Sequence, residues 1–254
     1  MENQIAFGIN TIATLLAHAP ERVRSLHIFE QTKNKRLSKL IAEASKKSIA
    51  TEFHDAKNFE TFLISHQIDT AAVHQGIIAV FQAAEIRDEQ WLLSLAESDR
   101  KPFFLVLDGV TDPHNLGACI RSACAAGVDA VVVPKDRSAS LSASVRKVAC
   151  GATEITPLVV AKNLARLLKQ LQKKNVWVMG AAGRADSSLY DLDLSGGLAL
   201  VMGAEGDGLR RLTEENCDQL FSIPMVGSVE SLNVSVAAGI CLFEAVRQRV
   251  LLHS

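Results

Sequence analysis

The chain has 254 residues, 48% of them hydrophobic and 22% charged, with a formal net charge of −1. That balance excludes a disordered chain, and 15 glycines with 6 prolines are too few for a collagenous or linker-rich one. The near-neutral sum excludes a uniformly basic nucleic-acid coat and leaves room only for a local basic face.

At about 100–200 residues per domain, the length allows one large domain or two modest ones, with a core that needs no staples. Five cysteines occur (Cys119, Cys124, Cys150, Cys217 and Cys241). Their odd number and the lack of a Cys-x-x-Cys pair support neither a disulfide framework nor a common zinc site. They read as reduced, mostly buried small hydrophobes. The first residues, Met-Glu-Asn-Gln-Ile-Ala-Phe-Gly, lack the basic-then-apolar pattern of a signal peptide, and no run of about 18 apolar residues occurs. A cytoplasmic protein with no membrane contact is expected.

In chain order, residues 1–80 mix strands with helices. Leu26-His27-Ile28-Phe29 reads as a strand. Residues 33–47 read as a helix with Leu37, Leu40, Ile41 and Ala44 on one face. Its other positions carry Lys33, Lys35, Arg36, Lys39, Lys46 and Lys47 against one acid, Glu43. These charges suit either a solvated face or a phosphate-contacting patch. Residues 81–101 are polar around Trp91-Leu92-Leu93 and read as a linker with a short helix.

From Phe103 the pattern changes. Strands are expected over 103–107, 130–133, 176–179, 198–202 and 221–223, and helices over 115–126, 141–150, 162–174 and 234–252. The strands are apolar without alternation, so both faces should be covered, as in a parallel sheet flanked by helices. The expected class is α/β, built from βαβ units. The last helix is apolar nearly all round and should be buried on several sides, either as a core helix or at a subunit interface.

Three loops after expected strands carry the chemistry-bearing residues, at the strand ends where open α/β sheets bind ligands. The first is Asp108-Gly109-Val110-Thr111-Asp112-Pro113-His114-Asn115-Leu116-Gly117, leading into a helix with Arg121 among small residues. The second is Gly203-Ala204-Glu205-Gly206-Asp207-Gly208. Its spacing is not the dinucleotide-binding G-x-G-x-x-G, and it lies late in the chain. The third runs from Pro224 through Gly227 to Ser231-Leu232-Asn233, where capping side chains and free helix N–H groups meet. No metal-ligand cluster is visible, and none is expected.

Taken together, Asp-Gly-Val-Thr-Asp-Pro-His-Asn-Leu-Gly-Ala with Arg121, Val-Met-Gly-Ala-Glu-Gly-Asp-Gly-Leu, and Ile-Pro-Met-Val-Gly-Ser-Val-Glu-Ser-Leu-Asn-Val-Ser-Val-Ala resemble the three motifs of the SpoU branch of the SPOUT RNA methyltransferases. Their order and spacing match. The segment around His74-Gln75-Gly76 resembles the end of that family's N-terminal RNA-binding domain. Pro134 to Ser138 and Arg146 to Ala152 resemble the bacterial members that methylate the ribose 2′-oxygen of a guanosine in the peptidyl-transferase region of 23S ribosomal RNA.

The resemblance implies an L30e-like α/β RNA-binding domain over 1–80, a linker over 81–101, and a methyltransferase domain with a deep trefoil knot over 102–254. It implies S-adenosylmethionine as cofactor, held near Gly203, Ile223 and Leu232, with Gly208 allowing close approach. A homodimer is implied as well. Asn115, Arg121, Glu205 and Asn233 are the implied catalytic set, with Ser231 as a further candidate. In the family the arginine is proposed as the general base, but a guanidinium is effectively always protonated. Arg121 is therefore read as an orienting and electrostatic group, anchored by Glu205. His114 is set aside as a base because it follows Pro113 in a turn. A transfer-RNA ribose remains an alternative substrate, and a non-catalytic RNA-binding assembly factor an alternative class.

Overall fold

The computed structural model describes residues 3–66, 68, 73–97, 100–229 and 231–251. Two compact units divide the chain: Met1–Ala84 with Cys150–Ile155, and Glu85–Ala149 with Thr156–Ser254.

The first unit contains β1 (Asn3–Phe7), α1 (Ile9–His18), β2 (Val23–Phe29), α2 (Lys35–Lys46), β3 (Ala50–His54), α3 (Ala56–Ser65) and β4 (Ile77–Gln82). Its sheet has the order β1-β4-β2-β3. The pairs with β4 are antiparallel and β2–β3 is parallel. Ile12, Leu15 and Leu16 of α1 pack with Leu37, Leu40 and Ala44 of α2 over Leu26, Ile28, Ile77, Ala79 and Phe81. Phe59 and Leu63 of α3 cover the other face at Ile78.

The helix expected over 33–47 is α2, started by Asn34, whose side chain accepts the Arg36 N–H at 2.8 Å. Its lysines and Arg36 are exposed. Residues 150–155 return to this unit, which their position in the chain does not suggest. Glu154 accepts the Ala84 N–H at 2.7 Å, and its carbonyl accepts from Arg22.

The second unit contains α4 (Glu89–Ala96), β5 (Phe103–Asp108), α5 (Pro113–Ala125), β6 (Ala130–Pro134), α6 (Ala143–Ala149), β7 (Leu158–Ala161), α7 (Leu164–Gln172), β8 (Trp177–Ala181), β9 (Leu198–Gly203), α8 (Arg211–Glu214), β10 (Gln219–Phe221) and α9 (Val234–Leu251). Six strands form one sheet in the order β10-β8-β9-β5-β6-β7, with each adjacent pair parallel. The α/β reading of an apolar parallel sheet holds. On one face, α4 and α7 pack Leu92, Leu93, Leu164, Leu167, Leu168 and Leu171 against Phe104, Val132, Val159 and Val201. Helix α9 packs on α5 and β9, and α5 on α6.

Arg249 ties the end of α9 to the sheet. Its guanidinium donates to the carbonyls of Pro102, at 3.2 Å, and Leu194, at 3.2 Å. It also lies over the Phe103 ring, 4.4 Å from the centroid.

Strand β7 is not among the strands expected from the sequence. The stretch 81–101, expected as a linker with a short helix, begins inside β4 and holds that helix as α4, and Arg87 donates its N–H to the Leu158 carbonyl at 2.8 Å. Asp88 then caps α4, and Leu92, Leu93 and Ala96 enter the second unit's core. The polar residues that suggested a linker lie around this short buried stripe.

Leu92→Ala is therefore expected to lower stability by about 2–5 kcal/mol, the range for truncating a buried leucine. Urea denaturation measures it, and a shift indistinguishable from zero would mean that α4 is a connector after all.

Candidate active site

Strands β5 and β9 are neighbours at the centre of the sheet, and they end together, with Asp108 beside Gly203. The loops after β5, β9 and β10 therefore open at the same sheet edge. Asp108 is the last residue of an entirely buried strand and is itself fully buried. A carboxylate there needs a partner. It accepts the Arg210 N–H at 3.0 Å and pairs with the Arg210 guanidinium. This ion pair anchors the far end of the glycine loop to the end of β5. The sequence reading did not single it out, because the two residues are distant in the chain.

The glycine loop closes on itself. Ala204 and Gly208 exchange two backbone hydrogen bonds, each 3.0 Å long. A methyl group on Gly203 would lie 2.1 Å from the Gly208 carbonyl carbon, so only glycine fits. Gly208 has open space around its Cα and a φ of +69°. Gly203 thus gives the loop's own backbone its close approach, while Gly208 has open space and the left-handed backbone that glycine favours.

Asp112 begins α5 by accepting the N–H groups of His114 and Asn115 at 3.0 and 3.3 Å. Asp112 is the cap. Pro113 takes the first helical position, where its missing N–H costs nothing, so His114 lies in a helical turn rather than a loop.

The Asn115 side chain is left free to point across the site. Its Nδ2 donates to Glu205 Oε2 at 3.3 Å, and its Oδ1 accepts from Asn233 Nδ2 at 2.9 Å. Asn233 Nδ2 also donates to Glu205 Oε2, at 3.2 Å. Asn233 Oδ1 accepts from the Ser235 N–H at 2.9 Å and so caps α9. One amide therefore starts the last helix and ties three loops together.

Beside this cluster lies a cavity of about 440 Å³. Gly203, Gly208, Ile223 and Leu232, the expected cofactor residues, all line it, as do Glu205 and Ser231. Ala181, which ends β8, and Ala182 and Gly183 after it complete the wall; sequence reasoning missed them because a run of alanine and glycine carries no chemical signal. A second cavity of about 400 Å³ shares the wall Ala204, Glu205, Gly208 and Val234 and is bounded by Asp108, Asn115, Arg137 and Arg210.

Arg121 is exposed on α5, in the helical stripe that includes His114, Ala118 and Ala125, and it is not among the residues that line either cavity. Glu205 joins the two asparagines rather than serving as the anchor foreseen for Arg121. Burial pushes the Cys119 and Cys241 thiols up to about 12, so both are inert at neutral pH.

A central parallel sheet with a self-closed glycine loop and an amide–carboxylate cluster at its carboxyl edge defines an α/β enzyme site. The chain belongs to the SpoU rRNA Methylase family, whose model matches residues 102–243. The model for RNA 2'-O ribose methyltransferase substrate binding matches residues 5–87.

Among curated relatives, the chain is 52% identical over 247 residues to the 23S rRNA (guanosine-2'-O-)-methyltransferase RlmB of Escherichia coli strain K12, covering 97% of this chain and 99% of that one. It is 53% identical to the RlmB of Pasteurella multocida strain Pm70, covering 96% and 98%. In fold it is similar to the SpoU methyltransferase AviRb from Streptomyces viridochromogenes in complex with AdoMet, with a TM-score of 0.76 at 22% identity, covering 98% of this chain and 91% of that one.

The cap and the cluster can be separated experimentally. Asn233→Ala is expected to lose about 0.5–2 kcal/mol of stability with the cap. Asn233→Asp keeps the cap but sets a carboxylate against Glu205, so the loop should open. Hydrogen exchange at the Ala204 and Gly208 amides reads this, and unchanged protection in Asn233→Asp would show that the cluster does not hold the loop.

Proposed function

We propose that this chain transfers a methyl group from S-adenosylmethionine to the ribose 2′-oxygen of a guanosine in the peptidyl-transferase region of 23S ribosomal RNA. It does so as a cytoplasmic homodimer. The observation that carries this reading is the match to the 23S rRNA enzymes along nearly the whole chain. The Asn115–Glu205–Asn233 cluster beside a cavity of about 440 Å³ supports it.

The cavity lies within the range of about 300–1,000 Å³ usual for ligand sites of this kind. Its wall combines glycine backbone with the apolar side chains of Met202, Phe221, Ile223 and Leu232. These residues fit a nucleoside with a short chain. Gly203, Gly208, Ile223 and Leu232 hold it, mainly through their backbone. When bound, S-adenosylmethionine supplies an electrophilic methyl group on a positively charged sulfur. The loops that would hold the cofactor would belong to a trefoil knot.

The target nucleotide would enter by the second cavity, with its ribose reaching the methyl group past Glu205 and Gly208, which line both cavities. Attack must be in line, and the chain's main contribution is to hold that geometry. Asn115 and Asn233 position the ribose and the loops by amide hydrogen bonds, with Glu205 keeping both amides oriented. Arg121 remains a cation at every working pH. It holds an RNA phosphate or steadies the developing alkoxide, as a charge-assisted partner does. The exposed basic positions of α2 contact phosphates elsewhere on the RNA.

The dimer reading has its own support. Helix α9 buries Ala238, Cys241, Leu242 and Ala245, while Val236, Phe243 and Val250 form an exposed apolar stripe at sevenfold spacing. Such a stripe suits a second copy of the helix.

Arg121→Ala is expected to lower single-turnover methylation of a 23S rRNA fragment by about 100-fold or more, the scale of losing one electrostatic stabiliser. S-adenosylmethionine affinity, read by calorimetry, should be unchanged. Near-normal turnover at equal affinity would remove Arg121 from the mechanism. Phe243→Glu should convert the sedimenting species from dimer to monomer. A wild-type monomer, or a mutant dimer, would discard the α9 interface.

A further inference from the structure

The first unit carries, on the sheet face covered by α3, a group of histidines and phenylalanines that methyl transfer does not use. In the parallel pair β2–β3, His27 lies beside Glu52 and Phe29 beside His54. Alternation along each strand puts all four on one face. His27 Nδ1 is 3.0 Å from His54 Nε2. Glu52 Oε2 is 3.6 Å from His27 Nδ1 and 3.9 Å from His54 Nε2. Two donors each about 2.0–2.1 Å from one metal ion at a tetrahedral angle lie roughly 3.3–3.4 Å apart. The three separations bracket that value.

We infer that His27, Glu52 and His54 form a binding site for a borderline transition-metal cation of the Zn²⁺ type, with solvent completing a four-coordinate shell. Two imidazole nitrogens and a carboxylate oxygen are a donor set suited to such ions. Ser25 Oγ, 2.9 Å from His27 Nε2, accepts that ring N–H and leaves Nδ1 with its lone pair.

The rings are held in place without an ion. His27 stacks on Phe62 with centroids 4.1 Å apart, and His54 tilts against Phe59 at 6.2 Å. Without metal, His54 Nε2–H donates to His27 Nδ1. Binding replaces that shared proton, which moves to His54 Nδ1, so no net proton is released. Glu52, 60% exposed at its side chain, leaves the ion a path from solvent. The site departs from the sequence-based expectation of no metal, and its independence from the methyltransferase reading makes it separately testable.

The test is titration of the full-length chain at neutral pH with Co²⁺, followed by Zn²⁺. One equivalent of Co²⁺ should produce the visible absorption of a low-coordinate ion without a sulfur-to-cobalt charge-transfer band, and Zn²⁺ should bleach it. Glu52→Gln should weaken Co²⁺ binding by about tenfold or more, and His54→Gln should abolish the band. Ser25→Ala should weaken binding by about 10–100-fold, the usual scale for a residue that orients a ligand histidine. Circular dichroism checks the fold, and exposed Glu52 provides the informative variant should His54→Gln fail to fold. Absence of the visible band with excess Co²⁺, a band carrying sulfur character, or equal affinity in Glu52→Gln and wild type would each overturn the assignment.

Discussion

The site depends on the pairing of β5 with β9. Parallel strands in register bring Asp108 beside Gly203, and every loop that carries function starts within reach of that pair. The register follows from burial. Both strands are apolar and buried up to their last residue, which suits the centre of the sheet. Asp108 then ends its strand as a fully buried carboxylate, and the Arg210 guanidinium is the charge that offsets it. That partner ties the far end of the second loop to the end of β5.

From this anchor the remaining geometry is built by small groups with more than one duty. Asn233 caps α9 with its carbonyl oxygen and joins Asn115 to Glu205 with its amide nitrogen. Gly203 gives up its side chain so that the loop can turn back against it. Stability and binding geometry therefore share the same atoms. A cluster of two amides and one carboxylate is also well suited to holding shape: each amide orients the other, and the carboxylate accepts from both.

The first unit follows a different logic. Its helices bury leucines and isoleucines over one sheet face, while the other face is finished with aromatic rings and histidines under α3. A sheet face closed by imidazoles is an unusual use of polar groups in a small core. It has a chemical capacity that a purely aliphatic face lacks.

Much of this was legible in the sequence. Unbroken apolar runs announce buried parallel strands, and the glycine loop, Asn115, Glu205 and Asn233 stand in three motifs whose composition suits a binding edge. Those signals are local, each readable within a dozen residues. The tertiary structure alone decided the rest. It set which glycine meets backbone, which acid meets Arg210, and where Arg121 stands relative to the cavities. It showed that α4 belongs to a core and that 150–155 return to the first unit. It also brought His27 together with Glu52 and His54. The physical reason is the same in each case: these are contacts between side chains whose positions are set by strand order and register. Residues far apart in the chain show no sign of their meeting until the sheet has placed them.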